Sequence, residues 1–120
     1  MFKRENSGYK MKIRINDRND VTEIVIEGNV LQENVSFLRC RLNDLIDNGR
    51  FRIILNLSKT NYISSLCLAV IIDVKLRLQK LDGDLKIAVA NRLVRNLMEI
   101  TNLVKQIELH NTIESAIDSF

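Results

Sequence analysis

Residues 56–72 read NLSKTNYISSLCLAVII and mark the passage from a buried strand, through a polar turn, into a helix. The strand, predicted over 51–57 (FRIILNL), shows little alternation, which is typical of the centre of a covered, largely parallel sheet. The helix is predicted over 64–81 and begins at Ser64 and Ser65. Serine at a helix start accepts a hydrogen bond from a free backbone N–H, and the positive end of the helix tolerates a phosphate. This corner is therefore the candidate site.

The first turns of that helix are apolar around the whole circumference, since residues 66–72 read LCLAVII. One side can pack on the sheet, while the opposite side is either covered by a neighbouring helix or exposed as a patch suited to a partner protein. A capping serine followed by a core helix explains the same residues without any function, and the pattern alone favours that explanation. Two roles are equally consistent with Tyr62: an anchor in an interface, or a residue at the strand end that packs on the core.

Outward from this corner the chain alternates strands and helices. Before it, the pattern predicts a hairpin and a helix, with strands over 11–15 and 21–26, a turn over 16–20, and the helix over 32–48 ending at Gly49. After it, the pattern predicts that the helix ends at 82–84 and that a buried strand follows over 85–90. Next come a helix capped by Asn91 and ended by Asn102, an edge strand over 106–109 and a helix over 112–120. This order predicts an α/β fold with a mixed, mostly parallel central sheet, an N-terminal β-hairpin and about four helices.

Composition favours a small intracellular globular domain. The 120 residues, 46% of them hydrophobic, predict one domain over 11–120 behind a polar tail at 1–10. The tail lacks the apolar segment of a secretory signal, so a cytoplasmic location is expected. The longest apolar run, 66–72, is far shorter than the ~20 residues that cross a bilayer, so no membrane insertion is expected. The net charge of +3 is scattered and aromatic residues make up only 5%, which argues against a nucleic-acid partner.

Catalytic and metal-binding chemistry is not expected. Cys40 and Cys67 have no metal-ligand spacing and are interpreted as small core hydrophobes, and the four glycines form no phosphate-binding loop, so no cofactor is predicted. A serine-nucleophile enzyme would need the single histidine, His110, to reach Ser65 and to find an orienting carboxylate. Because no G-x-S-x-G motif surrounds the serine, the chain is predicted not to be an enzyme.

The sequence resembles the STAS domain, the fold shared by bacterial anti-sigma factor antagonists and the tails of sulfate transporters. The family has a strand of the type hiiLDLs (h, hydrophobic) and a helix start of the type hIDSSGLG. Residues 53–58 (IILNLS) and 62–69 (YISSLCLA) are similar to these two motifs. Gly28 matches an early glycine of the family, and two later family patterns fall on 94–103 and 107–116. The resemblance covers about residues 12–120, nearly the whole chain.

The resemblance implies a switching function. In that family an unphosphorylated antagonist binds an anti-sigma factor that is itself a serine kinase, and the kinase phosphorylates the serine that follows the motif aspartate. That serine is Ser65 here. The chain departs from the family at five positions: the motif aspartate is Ser64, the second motif serine is Leu66, the two motif glycines are Cys67 and Ala69, and an acidic position after the early glycine is Leu31.

The resemblance also implies the partner and its contact residues. The partner is an anti-sigma factor and serine kinase, and the residues expected to contact it are Asn29, Leu31, Tyr62, Ser64, Leu66, Cys67 and Leu68. The alternative is a STAS module that is never phosphorylated, acting as a scaffold or accessory subunit of a stress-signalling assembly or a membrane transporter. Weak self-association through the apolar helix is also open.

Overall fold

The computed structural model describes residues 5–6, 11–102 and 105–120. Its elements in chain order are β1 (Glu5–Asn6), β2 (Lys12–Arg18), β3 (Val21–Glu27), α1 (Val35–Asp47), β4 (Arg52–Lys59), α2 (Ser65–Gln79), β5 (Asp84–Ala88), α3 (Arg92–Ile100), β6 (Leu109–His110) and α4 (Ile113–Asp118). Within this described part of the chain, no helix combines the length and the apolar character needed to cross a membrane.

The six described strands form one sheet in the order β1-β2-β3-β4-β5-β6. The β1–β2 and β2–β3 pairs are antiparallel, whereas β3, β4, β5 and β6 run parallel to one another. This arrangement confirms the predicted mixed sheet with its N-terminal hairpin. The short strand β1 lies in the segment predicted as a polar tail, and the rest of that segment lies outside the described residues.

The central strand β4 is buried on both faces, as its apolar sequence predicts. Ile53 and Leu55 face the main core, which they share with α1, α2 and α3, while Ile54 faces a second core beneath Ala116 of α4. All three isoleucine and leucine side chains are fully buried. Burial of each such side chain contributes about 1.5–3 kcal/mol relative to exposure, so β4 anchors the elements that carry the candidate site.

The hairpin turn is shorter than the predicted 16–20. β2 pairs with β3 as far as Arg18 opposite Val21, and only two residues remain for the turn, with Asn19 at φ 65°. The polar end of β2 stays paired in the sheet because Glu23 on the facing strand accepts hydrogen bonds from Arg18 at 2.7 Å and from Asn16 at 3.4 Å. Cross-strand polar pairs of this kind stabilise a sheet without an apolar residue.

The helix boundaries follow capping chemistry. Asn91 caps α3 as predicted, and of the two serines at the start of α2 it is Ser64 that caps the helix. Gly49 and Asn102 have the expected positive φ after their helices. α1 begins at Val35 rather than at residue 32, because residues 32–34 form a turn.

The edge strand predicted over 106–109 is observed as Leu109–His110. The apolar signal there came from Ile107, which is 1% exposed and serves as a core residue in the preceding turn. The family pattern matched to residues 94–103 ends at residue 103, which lies outside the described residues.

Candidate functional site

The candidate site lies at the carboxyl ends of β3 and β4, where two loops leave the sheet side by side. The backbone N–H of Val30 donates to the carbonyl of Tyr62 at 3.0 Å, and the N–H of Ser64 donates to the carbonyl of Val30 at 2.8 Å. A further bond joins the N–H of Gly28, at φ 103°, to the carbonyl of Lys59 at 3.0 Å. The parallel pairing therefore continues beyond the strands and fixes the corner.

Asparagine side chains complete this attachment. The Oδ1 of Asn29 accepts a hydrogen bond from the N–H of Tyr62 at 3.1 Å, which joins the two loops directly. The buried Asn34 holds the first loop in shape, donating to the carbonyl of Asn29 at 3.1 Å and accepting from the N–H of Leu31 at 2.8 Å. Asn29 and Leu31 thus lie beside the turn, as the resemblance implies, whereas Asn34 was not singled out from the sequence.

The two adjacent serines have different environments. Ser64 is 8% exposed, and its Oγ accepts a hydrogen bond from the N–H of Cys67 at 3.2 Å. Ser65 is the first residue of α2 and its side chain is exposed to solvent. One serine therefore caps the helix, while the other presents a hydroxyl at the positive helix end.

The apolar residues beside the serines divide between the surface and the core. Tyr62 is 49% exposed and Leu66 is 40% exposed, so both present apolar surface next to Ser65. Cys67 and Leu68 are buried in the main core at 0% and 4% exposure, and burial raises the pKa of the Cys67 thiol to about 12. The expectation that Cys67 and Leu68 contact a partner is corrected accordingly, because the domain's own core encloses their side chains.

A further pair of polar residues binds the turn to α3. The buried Thr60 donates its hydroxyl to the carbonyl of Ile26 at 2.8 Å, which holds the end of β4 against β3. Asn91 donates to the carbonyl of Thr60 at 3.0 Å, and its Oδ1 accepts from the N–H of Val94 at 2.9 Å. One side chain thus caps α3 and positions it against the candidate site. The sequence indicated only the capping role.

The structure places the side chain of His110 beside Ser115 and Glu108 and not beside Ser65. Its Nδ1 lies 2.8 Å from the hydroxyl of Ser115, and its Nε2 lies 3.0 Å from Glu108. The hydrogen bond from His110 lowers the pKa of the Glu108 carboxyl, burial opposes this, and Lys86 lowers it further. His110 therefore joins β6 to α4, and its ring nitrogens are engaged away from the candidate site.

The fold and the corner together define a small α/β domain with an exposed serine at the start of its second helix. The chain belongs to the STAS domain family, whose model matches residues 12–116.

Individual relatives agree with this assignment. BtrV of Bordetella bronchiseptica, which carries the name of an anti-sigma factor antagonist, is 27% identical over 110 residues, covering 92% of this chain and 95% of BtrV. An anti-sigma factor antagonist from Mycobacterium paratuberculosis has a similar fold, with a TM-score of 0.84 at 16% identity, over 91% of this chain and 92% of that one. Unphosphorylated SpoIIAA, also an anti-sigma factor antagonist, gives 0.77 at 17% identity, over 89% and 94% of the two chains.

Proposed function

We propose that this chain is an anti-sigma factor antagonist that binds an anti-sigma factor in the cytoplasm through the corner formed by Tyr62, Ser65 and Leu66. Similarity to BtrV over nearly its full length supports this class of function. The observation that carries the proposal is the exposure of these three side chains on a backbone that hydrogen bonds already hold in place. A binding surface fixed in advance loses little conformational entropy when the partner arrives.

The corner offers the mixture of groups that protein interfaces use. Tyr62 and Leu66 supply apolar area, worth about 25 cal/mol for each Å² removed from water. Aromatic side chains such as Tyr62 are frequent anchors of binding energy. Asn29 is exposed on the neighbouring loop and can contribute a polar contact at the edge. Leu31 is half-buried beside it and extends the apolar area.

Phosphorylation of Ser65 by the anti-sigma factor is the proposed regulation. A phosphate adds roughly −1.5 to −2 charges. In the free domain the positive end of α2 accommodates this charge, so the fold is retained. In the complex the same charge is desolvated beside Tyr62 and Leu66, which costs several kcal/mol unless a cation pairs with it. Since each ~1.4 kcal/mol is a tenfold change in affinity, one phosphate is sufficient to release the partner.

The direct test is to incubate the domain with its cognate anti-sigma factor and ATP and to map the modified residue by mass spectrometry. We expect a single phosphate on Ser65 and none on Ser64, whose hydroxyl is buried. The Ser65→Ala variant is the matched control and should remain unmodified. An unmodified wild-type domain, or a phosphate elsewhere with binding retained, would refute the Ser65 assignment.

The second candidate is a STAS scaffold that is never phosphorylated. One observation favours it: the first turn of α2 carries no acidic side chain, and the capping residue Ser64 stands at the aspartate position of the family motif. The two candidates differ in their response to charge at Ser65. A phosphorylation switch predicts that Ser65→Asp prevents partner binding while Ser65→Ala permits it, whereas a scaffold whose contacts lie elsewhere predicts that both variants bind alike.

A further inference from the structure

A groove of about 290 Å³ separates the β4–α2 turn from α3. Its lining is almost entirely apolar, with two asparagines at its edge, and consists of Asn61, Tyr62, Ile63, Leu93, Val94, Asn96, Leu97 and Ile100. This volume is at the lower end for small-molecule sites, which favours a few inserted side chains over a cofactor. The groove shares Tyr62 with the proposed binding corner and is continuous with it.

The wall formed by α3 presents an unpaired helix face. Leu93, Leu97 and Ile100 recur at the i, i+4, i+7 spacing of an amphipathic stripe, the arrangement by which helices pack on other elements. Yet Leu93 is 67% exposed and Ile100 is 80% exposed, and no described element covers them. Together with Tyr62 they form a contiguous apolar surface, of the kind that marks interaction sites on soluble domains.

The two chain segments that form the groove carry predominantly positive charge. Residues 58–68 and 91–100 contain three basic side chains and one acidic side chain: Lys59, Arg92, Arg95 and Glu99. Arg95 donates to Asn111 at 3.0 Å, whereas Arg92 forms no ion pair within the part of the chain that the structure describes. A surface of this charge attracts an acidic partner and repels a basic one.

We propose that this groove binds an amphipathic helix of the partner, whose apolar residues insert between Tyr62 and α3 and whose carboxylates meet Arg92. The inference rests on the proposed function, because the partner is the anti-sigma factor. The hydrogen bonds of Asn91 to the turn and to α3 hold the two walls at a fixed separation, so the groove exists before binding. The partner surface is thereby extended from the serine corner along α3.

The test is calorimetric titration of the full domain with the purified cognate anti-sigma factor. Leu93→Ser and Ile100→Ser should each weaken binding about tenfold or more, because each removes an apolar contact from the interface. Leu76→Ser is the matched control, since Leu76 is 52% exposed on α2 outside this groove, and its affinity should stay within about twofold of wild type. Arg92→Glu should also weaken binding, with a deficit that shrinks as salt rises.

The outcomes separate this inference from the proposed function. Failure of the wild-type domain to bind the anti-sigma factor would overturn both. Binding that Ser65→Asp prevents, but that the Leu93 and Ile100 variants leave unchanged, would overturn only the groove assignment. A wild-type domain that dimerises, with the groove variants monomeric in analytical ultracentrifugation, would assign the groove to a second copy of this chain and likewise overturn it.

Discussion

Replacing Ser65 by aspartate should separate the effect of charge on binding from any effect on folding. Ser65 is the first residue of α2 and is exposed, whereas the adjacent Ser64 is buried and caps the N–H of Cys67 at 3.2 Å. Substitutions at the two adjacent serines are therefore expected to have different consequences. A negative charge at the start of α2 interacts favourably with the helix dipole, and loss of the Ser64 hydroxyl leaves a helix N–H without its acceptor.

The expected magnitudes follow from these contacts. Ser65→Asp should leave the free energy of unfolding unchanged or raise it by about 0.3–1 kcal/mol. Ser64→Ala should lower it by about 0.5–2 kcal/mol, since it removes the cap. In the complex, a carboxylate at position 65 is desolvated beside Tyr62 and Leu66, and an unpaired buried charge costs several kcal/mol. The affinity of Ser65→Asp for the anti-sigma factor should therefore fall by more than tenfold.

Urea denaturation followed by circular dichroism measures the first quantity, and calorimetric titration measures the second. Ser65→Ala is the control in both, because it removes the hydroxyl without adding charge. Loss of stability by more than about 1 kcal/mol in Ser65→Asp would show that charge acts through the fold. Wild-type affinity in the same variant would remove Ser65 from the interface, and either result refutes the reasoning.

Two further predictions concern the scaffold. A Cβ at Gly83 would lie 1.9 Å from the carbonyl oxygen of Phe51, so Gly83→Ala should lower the free energy of unfolding by about 3 kcal/mol. Gly49→Ala should lower it by only about 1 kcal/mol, because Gly49 has a φ of +83° but open surroundings. Equal losses of the two variants in urea denaturation would contradict this. Burial opposes ionisation of Glu23, but hydrogen bonds from Asn56, Arg18 and Asn16 outweigh it and hold its pKa below the usual range. The ionised Glu23 therefore stabilises the fold fully above its unfolded pKa of about 4.3, and this contribution is lost as pH falls through the lower folded pKa. Glu23→Gln should make the free energy of unfolding less dependent on pH in this acidic range. An unchanged pH dependence would count against the hydrogen-bond network.

The fold was largely predictable from the sequence because apolar periodicity and capping chemistry act locally. The apolar run of β4 and the capping residues Ser64 and Asn91 place the central elements where the structure has them. The hairpin turn was misplaced because its polar residues look like loop chemistry in sequence. Only the facing strand, through Glu23, shows that Arg18 continues the sheet.

The site was predictable in position but not in detail. A helix apolar on all sides gives no periodic signal for which side meets the sheet, so Leu68 was expected at the surface and is buried. Asn34 bonds within its own loop. The supports supplied by Thr60 and Asn91, in contrast, depend on which loop the tertiary fold brings within hydrogen-bond distance, because their bonds join residues 34 and 31 positions apart. Local sequence patterns contain no information about such pairs.

An NMR titration of the ¹⁵N-labelled domain with its cognate anti-sigma factor tests the central claim most directly. The account predicts that the largest shifts fall on the amides of Asn29, Tyr62, Ser65 and Leu66, and that prior phosphorylation of Ser65 abolishes them. Shifts confined to β6 and α4, with Ser65 unaffected, would contradict it.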